Sequence, residues 1–249
     1  SLRGCASEMN RNQYDSDITT WSPQGRIFQI EYAMNAVTQG SAAIGIRSKT
    51  HVVLASLKRS ASELASHQKK IFCIDDHMGI AIAGLAADAR VISKYMRTEC
   101  LQHKYIYDTP MQASRLVNQV ADKAQIKTQR MGRRPYGVGL LVASHDRTGA
   151  HLYEVNPSGN FSEYHAMAIG ARAQSAKTYL EKKFEEFESA PLNELVKHAL
   201  FALRETTGQR SEGLLASNTT VAVVGVDQKF IIHEDETVQP FLDTLDMED

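Results

Sequence analysis

The chain has 249 residues, with 28 basic and 29 acidic side chains and a formal net charge of −1. Hydrophobic residues make up 43% and charged residues 23% of it, as in ordinary globular proteins, which excludes disorder, collagen and a disulfide scaffold. The near-zero charge argues against nucleic acid or an anionic membrane as the main partner, because it gives no overall attraction to phosphate groups.

The first predicted element is a helix that begins at Ser22-Pro23. Ser is a favoured N-cap and Pro suits the first helical position, while Gly40 is expected to end the helix. Between these ends, apolar residues recur at helical spacing at Ile27, Ile30, Met34 and Val37, and Phe28 and Tyr32 add further apolar side chains. They offer more apolar surface than one stripe requires, which suggests either a partner for this helix or burial on both of its sides.

Short strand-like runs and pairs of amphipathic helices alternate along the rest of the chain. The first run of predicted strands is Ser41–Arg47, His51–Leu57, Ile71–Ile74 and Met78–Gly84. Two helices follow, the second opening at Pro110, and the next predicted strands are Gly139–Ser144, Ala150–Val155, Phe161–Tyr164 and Ala166–Ile169. After another helix pair come the strands Thr219–Val226 and Phe230–His233, and then a short helix around Phe241.

This order predicts an α+β fold in which two packed sheets are covered by helices on both outer faces, a four-layer αββα sandwich. A doubly wound parallel sheet would instead alternate single strands and helices. No linker rich in Gly, Pro or Ser divides the chain, so we expect an N-terminal extension over residues 1–21 and one domain over residues 22–249. Seven acidic residues and no basic one lie from Glu234 onward, so the domain ends in an acidic tail.

Several ordered motifs make the chain resemble proteasome alpha subunits. Tyr14-Asp15 and the run Trp21–Ala33 are similar to the N-terminal signature of that family. The segment Gly84–Arg90 is similar to its Gly-Leu-x-Ala-Asp-Ala-Arg motif, and Arg133–Gly137 to its Arg-Pro-Tyr-Gly turn. The resemblance covers residues 12 to 245, and its subclass features are most like the eukaryotic type-1 alpha class, at Arg11–Asp15, Trp21–Arg26 and Asn193–His198.

The resemblance implies the four-layer fold of N-terminal-nucleophile hydrolases and a place in the seven-membered outer ring of the 20S core particle. The partners it implies are other alpha subunits, beta-ring subunits, and a regulatory particle or other activators, in the cytoplasm and nucleus. It implies no cofactor, and the scattered histidines and isolated cysteines show no metal-ligand spacing. The expected function is ATP- and ubiquitin-dependent protein degradation, in which the beta subunits supply the proteolytic threonines.

The chain is expected not to be catalytic itself. Active relatives need a nucleophile with a free α-amine that takes its proton, and Ser41 stands at that position with about forty residues still attached. Leu57 stands where active relatives carry an Asp, although Lys70 remains near the family's lysine position. The alternative is a self-processed hydrolase that uses Ser41 after cleavage from Gly40.

Two sites follow from the resemblance. Tyr14, Asp15, Pro23 and Tyr32 match the family's gating cluster, whose phenol and carboxylate groups are able to hydrogen-bond. Many alpha subunits carry Arg after the Tyr-Asp pair, but this chain has Ser16, so a salt bridge between tails at that point is not expected.

The second site is the family's activator-docking pocket. Lys70, Gly40 and Leu85 match the residues that receive the C-terminal carboxylate of an activator protein. An ammonium beside an apolar rim suits a carboxylate, although a surface lysine would show the same sequence pattern.

Overall fold

The computed structural model describes residues 13–59, 64–208 and 213–246. Its first half comprises α1 (Phe28–Gln39), β1 (Ala43–Arg47), β2 (His51–Leu57), β3 (Ile71–Asp75), β4 (Met78–Gly84), α2 (Ala86–Tyr107) and α3 (Ala113–Lys127). Its second half comprises β5 (Val138–Asp146), β6 (Gly149–Val155), β7 (Phe161–Glu163), β8 (Ala166–Ile169), α4 (Ala173–Phe187), α5 (Leu192–Thr207), β9 (Thr219–Gly225), β10 (Gln228–Glu234) and α6 (Gln239–Asp246). None of the described helices is long and apolar enough to cross a membrane.

The strands form two five-stranded antiparallel sheets. The first has the order β10-β9-β2-β1-β8 and the second the order β3-β4-β5-β6-β7. Within the first, β1 and β2 pair with Ile44 opposite Ala55, and within the second, β4 and β5 pair with Ile80 opposite Val142. Most consecutive strands are joined by short turns, so hairpins build most of each sheet.

Side chains alternate between two buried faces along each central strand. On β4, Ile80 and Ile82 pack under the helices α2 and α3, while Ala81 and Ala83 face the other sheet. The same alternation runs through the other central strands, because a strand presents successive side chains to opposite faces. The strands therefore read as continuous apolar runs, which is why they were recognisable in the sequence.

Three buried layers of apolar side chains result from this alternation. One lies between α2, α3 and the second sheet, one between the two sheets, and one between the first sheet and the helices α4, α5 and α6. Phe187, at the end of α4, is fully buried in the last of these. The predicted αββα sandwich is confirmed.

The predicted start of the first helix is wrong. Ser22 to Arg26 form a closed turn, in which the Gly25 N–H donates to Ser22 O at 2.9 Å and the Arg26 N–H to Ser22 Oγ at 3.1 Å. Gly25 takes a left-handed conformation, with φ +74°, that interrupts helical geometry, so α1 begins only at Phe28. The Ser22-Pro23 pair is typical of a turn as well as of a helix start, because Ser and Pro are favoured in both.

The predicted end of the first helix is confirmed, but for a different reason. Gly40 has φ −64° and does not form a left-handed cap. A Cβ on Gly40 would lie 2.2 Å from the backbone nitrogen of Gly84, so only glycine allows α1 to meet β4 this closely. A second predicted helix boundary is also wrong, by fewer residues. The helix predicted to open at Pro110 is α3, and it begins three residues later, at Ala113.

The contact between Gly79 and Phe230 in the layer between the sheets gives a test of this packing. A Cβ on Gly79 would lie 2.0 Å from Cζ of the Phe230 ring. We expect Gly79→Ala to lower the free energy of unfolding by about 1–3 kcal/mol, since overpacking forces ring or strand to move. Urea denaturation measures this.

Gly213→Ala is the matched control, because no atom of the described residues lies within 4 Å of the added Cβ. Adding Phe230→Leu to Gly79→Ala should recover part of the loss in a double-mutant cycle. Equal stability of Gly79→Ala and the wild-type chain would contradict this account of the layer between the sheets.

Candidate functional site

The segment before α1 is attached to that helix by hydrogen bonds. The Tyr32 hydroxyl donates to Asp15 Oδ2 at 2.9 Å, and the Gln29 side-chain amide donates to the Asp15 backbone carbonyl. Gln29 and Tyr32 are three residues apart and therefore lie on the same face of α1. The structure thus joins two of the four predicted gating residues directly.

The other two predicted gating residues flank this contact. Tyr14 is half-buried next to Asp15, and Pro23 is exposed in the turn before α1. Pro fixes its own φ near −65°, which suits the tight turn from Ser22 to Arg26. Pro23 is therefore part of a turn and not of the helix start that the sequence suggested.

Sequence reasoning missed Ile18, which anchors the same segment. Its side chain is 2% exposed, and its N–H donates to Asp17 Oδ1 at 2.8 Å. The Thr19 hydroxyl donates to the other Asp17 oxygen at 2.6 Å, and this hydrogen bond lowers the pKa of Asp17. A single apolar residue within a polar run was the available signal.

Apolar surface remains exposed around this segment. Trp21 is 63% and Met34 38% exposed, while Ile27 and Ile30 are half-buried. Only Phe28 and Ala33 of α1 are buried in the chain itself. The expected surplus of apolar surface on α1 is therefore present.

The predicted docking residues meet where α1 reaches the second sheet. Gly40 packs on the backbone of Gly84, and the next residue, Leu85, donates its N–H to Gly137 O at 2.9 Å. The Leu85 side chain is 48% exposed and lies against Gly137, where an added Cβ would be 2.8 Å from Leu85 Cδ1. Two of the three predicted residues thus form one apolar rim.

Lys70 lies at the same end of the sheet. Its backbone carbonyl accepts the Ile82 N–H at 3.0 Å, two residues before Gly84 on β4. The residue is only 4% exposed, and burial, aided by the positive charge of Arg59, lowers the pKa of its ammonium group. No acidic side chain pairs with Lys70 in the described ranges 13–59, 64–208 and 213–246.

An ion pair that the sequence motifs did not reveal supports the pocket rim. Arg134 donates two hydrogen bonds to Asp88, of 2.6 and 2.8 Å, and the Gly137 N–H donates to Asp88 Oδ2 at 2.9 Å. The hydrogen bond from Arg134 is the main cause that lowers the pKa of Asp88, although partial burial opposes it. Asp88 therefore ties the α2 start to the Arg134–Gly137 turn against which Leu85 lies.

Ser41 has none of the surroundings of a nucleophile. Its nitrogen is an amide joined to Gly40, so it cannot take a proton as an amine does. Its Oγ is buried and has no hydrogen-bond partner among the described residues. Leu57 packs against the core beneath the helices α4 and α5, so no carboxylate stands at the expected position.

Two basic clusters of the sequence, Lys58-Arg59 and Arg130–Arg134, are partly used inside the chain. Lys58 is 6% exposed and its ammonium lies 3.2 Å from Asp235 Oδ1, and Arg134 pairs with Asp88. Among the described residues, no group of three His, Cys, Asp or Glu side chains is placed to hold a metal ion. These observations favour structural ion pairs at both clusters.

The Asp88 cluster gives a test of how the rim is held. Asp88→Asn should lower the free energy of unfolding by about 1–3 kcal/mol, since hydrogen bonds to charged groups are lost. The fold lowers the pKa of Asp88, so the ionised carboxylate contributes to the free energy of unfolding. This contribution is complete above about pH 4, the ordinary carboxyl range, and is lost as the pH falls through the lowered pKa of the folded chain. Urea denaturation from pH 7 to pH 3 should show the wild-type and variant curves converging at the acid end.

Glu188→Gln is the control, since its pair with Lys49, at 3.2 Å, is exposed on both sides. We expect it to change stability by less than about 0.5 kcal/mol at every pH. A difference between Asp88→Asn and wild type that stays constant down to pH 3 would show that the carboxylate charge is not involved.

Comparisons with known proteins agree with this geometry. The family model for proteasome subunits matches residues 37–224, and the model for the N-terminal signature of A-type proteasome subunits matches residues 14–36. The alpha type-1 proteasome subunit of Dictyostelium discoideum is 58% identical over 241 residues, 97% of each chain. The Drosophila melanogaster protein of the same name is 51% identical over 226 residues, 90% of this chain and 81% of the relative. The alpha type-6 proteasome subunit of Saccharomyces cerevisiae is 47% identical over 236 residues, 94% of this chain and all of the relative.

The matches cover both the N-terminal signature and the sandwich, and they confirm the family resemblance, the fold and its likeness to the type-1 class. The free amine that a catalytic member of the fold needs is absent from Ser41, which agrees with the alpha type. The self-processed hydrolase is therefore not supported. The chain belongs to the proteasome subunit family, as a non-catalytic subunit of the alpha type.

Proposed function

We propose that this subunit controls entry into the 20S core particle with its N-terminal segment and receives activators at the Lys70 pocket. The observation that carries the proposal is the hydrogen bond of 2.9 Å between Tyr32 and Asp15, which couples the segment to a helix. Residues 1–21 would form the gating tail, of which residues 1–12 lie outside the described part of the chain. Residues 22–249 would form the ring domain with its acidic end, of which 247–249 also lie outside.

The contact between Asp15 and Tyr32 is suited to a switch between two positions of the tail. A single neutral-to-charged hydrogen bond contributes about 1–3 kcal/mol, enough to shift a balanced equilibrium without locking it. Ile18 would keep the segment near α1 in either position, since its burial stabilises the attachment. The exposed side chains of Trp21 and Met34 offer a surface for neighbouring alpha subunits in the ring.

The Lys70 pocket is suited to a C-terminal carboxylate of an activator. A buried ammonium that lacks a partner among the described residues is unfavourable, so an incoming carboxylate gains more there than at an exposed lysine. Leu85 supplies an exposed apolar rim for the side chains that precede the carboxylate. By their relation to eukaryotic relatives, such subunits would work in the cytoplasm and nucleus, with a regulatory particle in ATP- and ubiquitin-dependent degradation.

The gate is tested in the assembled core particle by two variants with opposite effects. Deletion of the residues before Trp21 should raise basal peptide hydrolysis, because the obstruction is removed. Tyr32→Phe should leave basal hydrolysis low and reduce activator-stimulated hydrolysis by about fivefold, the equivalent of one hydrogen bond of roughly 1 kcal/mol. Fluorogenic peptide hydrolysis measures both.

Thr38→Ala is the control for Tyr32→Phe, because it removes an exposed hydroxyl of the same helix that bonds only to Asn35 O at 2.8 Å. Thr38→Ala should leave activator-stimulated hydrolysis unchanged. Unchanged basal hydrolysis after the deletion would count against a gating role for this tail.

The docking pocket is tested by comparing two adjacent lysines. Lys70→Gln should weaken activation by a peptide with a free C-terminal carboxylate by tenfold or more, since a buried charge pair contributes about 2–5 kcal/mol. Lys69→Gln, which loses only an exposed pair with Glu234 at 3.4 Å, should leave activation nearly unchanged. The half-maximal peptide concentration for stimulated hydrolysis is the measurement.

The same peptide with an amidated C-terminus should activate the wild-type particle as weakly as the free peptide activates Lys70→Gln. Equal loss in both lysine variants would show that the effect is one of general charge and that Lys70 is not the receptor.

A further inference from the structure

A cavity of about 420 Å³ lies at the opposite end of the second sheet from the docking pocket. β4 begins beside it and β5 ends there, whereas Gly84 and Val138 mark the ends of these strands that face α1. The turn before β4, the loop between α2 and α3, and the hairpin between β5 and β6 enclose it. Its lining residues are His77, His103, Thr109, Pro110, Gln112, Arg115, His145, Asp146 and Arg147.

Two arginines of this lining have no acidic partner among residues 13–59, 64–208 and 213–246. Arg115 projects from the first turn of α3, with its guanidinium 5.9 Å from the Tyr107 ring centroid. Arg147 is exposed at the tip of the hairpin between β5 and β6. Guanidinium groups offer several donors in a fixed planar arrangement that matches the oxygens of phosphate or carboxylate.

His77 lies in the same wall, between two acceptors. Its Nε2 lies 2.7 Å from Met111 O and its Nδ1 lies 3.4 Å from Asp75 Oδ2, so both ring nitrogens face acceptors. Burial opposes protonation, but the hydrogen bonds to Asp75 and Met111 outweigh it and raise the pKa of His77. When protonated, this ring donates from both nitrogens to these two acceptors, so its charge is paired with Asp75.

Asp146 is the only carboxylate among the lining residues, and its oxygens are already engaged. Oδ2 accepts the Ala113 N–H at 3.2 Å, and Oδ1 accepts the Thr148 N–H at 2.8 Å. His151 Nε2 lies 3.3 Å from Oδ1. These donors hold the negative charge at the start of α3, so Asp146 does not pair with either arginine.

We propose that this cavity binds a small phosphate-class anion, such as a phosphate ester or a polyphosphate, between Arg115 and Arg147. The excess of positive charge suits a ligand with two or more negative charges better than a monocarboxylate. The hydroxyl of Thr109 and the amide of Gln112 add neutral donors within the same lining. A volume of about 420 Å³ lies within the range of small-ligand sites and exceeds the needs of a bare ion.

The test is a calorimetric titration of the full chain with pyrophosphate at low salt. Wild type should bind one equivalent in a saturable way, and the double variant Arg115→Gln, Arg147→Gln should bind at least tenfold more weakly. The control is Arg130→Gln, Arg133→Gln, which removes the same charge from exposed positions elsewhere and should keep wild-type affinity. Thermal denaturation without ligand should give similar midpoints for all three proteins, since none of the four arginines forms an ion pair in the described structure and the contact of Arg115 with Tyr107 is long, at 5.9 Å.

Titrations with sulfate and acetate separate the ligand chemistries. Sulfate should compete with pyrophosphate, because it is a dianion whose tetrahedral oxygens resemble those of one phosphate group, and acetate should not compete at equal concentration. Wild-type affinity in the Arg115 and Arg147 double variant would overturn the proposal. An equal loss in the control variant, or equal competition by acetate, would overturn it as well, by showing general attraction of anions to the surface.

Discussion

The close approach of Gly40 to Gly84 is the constraint on which both functional regions depend. A side chain on Gly40 would overlap the backbone of Gly84, so the two glycines allow α1 to meet the end of β4 directly. The Gly40 carbonyl also accepts the Ala171 N–H at 2.7 Å, which fixes the same point to the start of α4. Because α1 is placed in this way, Tyr32 can hold the N-terminal segment, while Leu85 and Lys70 lie at the same end of the second sheet.

The same arrangement explains why a fold associated with hydrolysis is inactive in this chain. Ser41, which follows Gly40, and Lys70 are both buried. The chain continues through Gly40 into α1, so the nitrogen that would act as a base is an amide. The helix thus replaces the free amine, and the buried Lys70, which lacks an acidic partner in the described structure, is the basis of the proposed carboxylate site.

Much of the fold was predictable because the central strands have two buried faces and read as unbroken apolar runs. The helices showed apolar stripes, and the grouping of strands and helices predicted the layers. Helix boundaries were harder to predict where one residue type is favoured in two kinds of local structure. Ser22 and Pro23 suit a helix start and a turn equally, and the left-handed Gly25 decided for the turn. The contacts of Asp15 with Tyr32 and of Asp88 with Arg134 join residues 17 and 46 positions apart, which no local pattern reveals.

The sequence by itself determined the family, the layered fold and the absence of catalysis, because each follows from ordered motifs, apolar periodicity and the chain that precedes Ser41. Only the tertiary structure decided which polar groups meet. It paired Asp88 with Arg134, left Lys70 buried and without an acidic partner among the described residues, and gathered Arg115, Arg147 and His77 around one cavity. The physical reason is that charge pairing and burial depend on distances between separate elements, which packing of the sheets sets and local sequence does not.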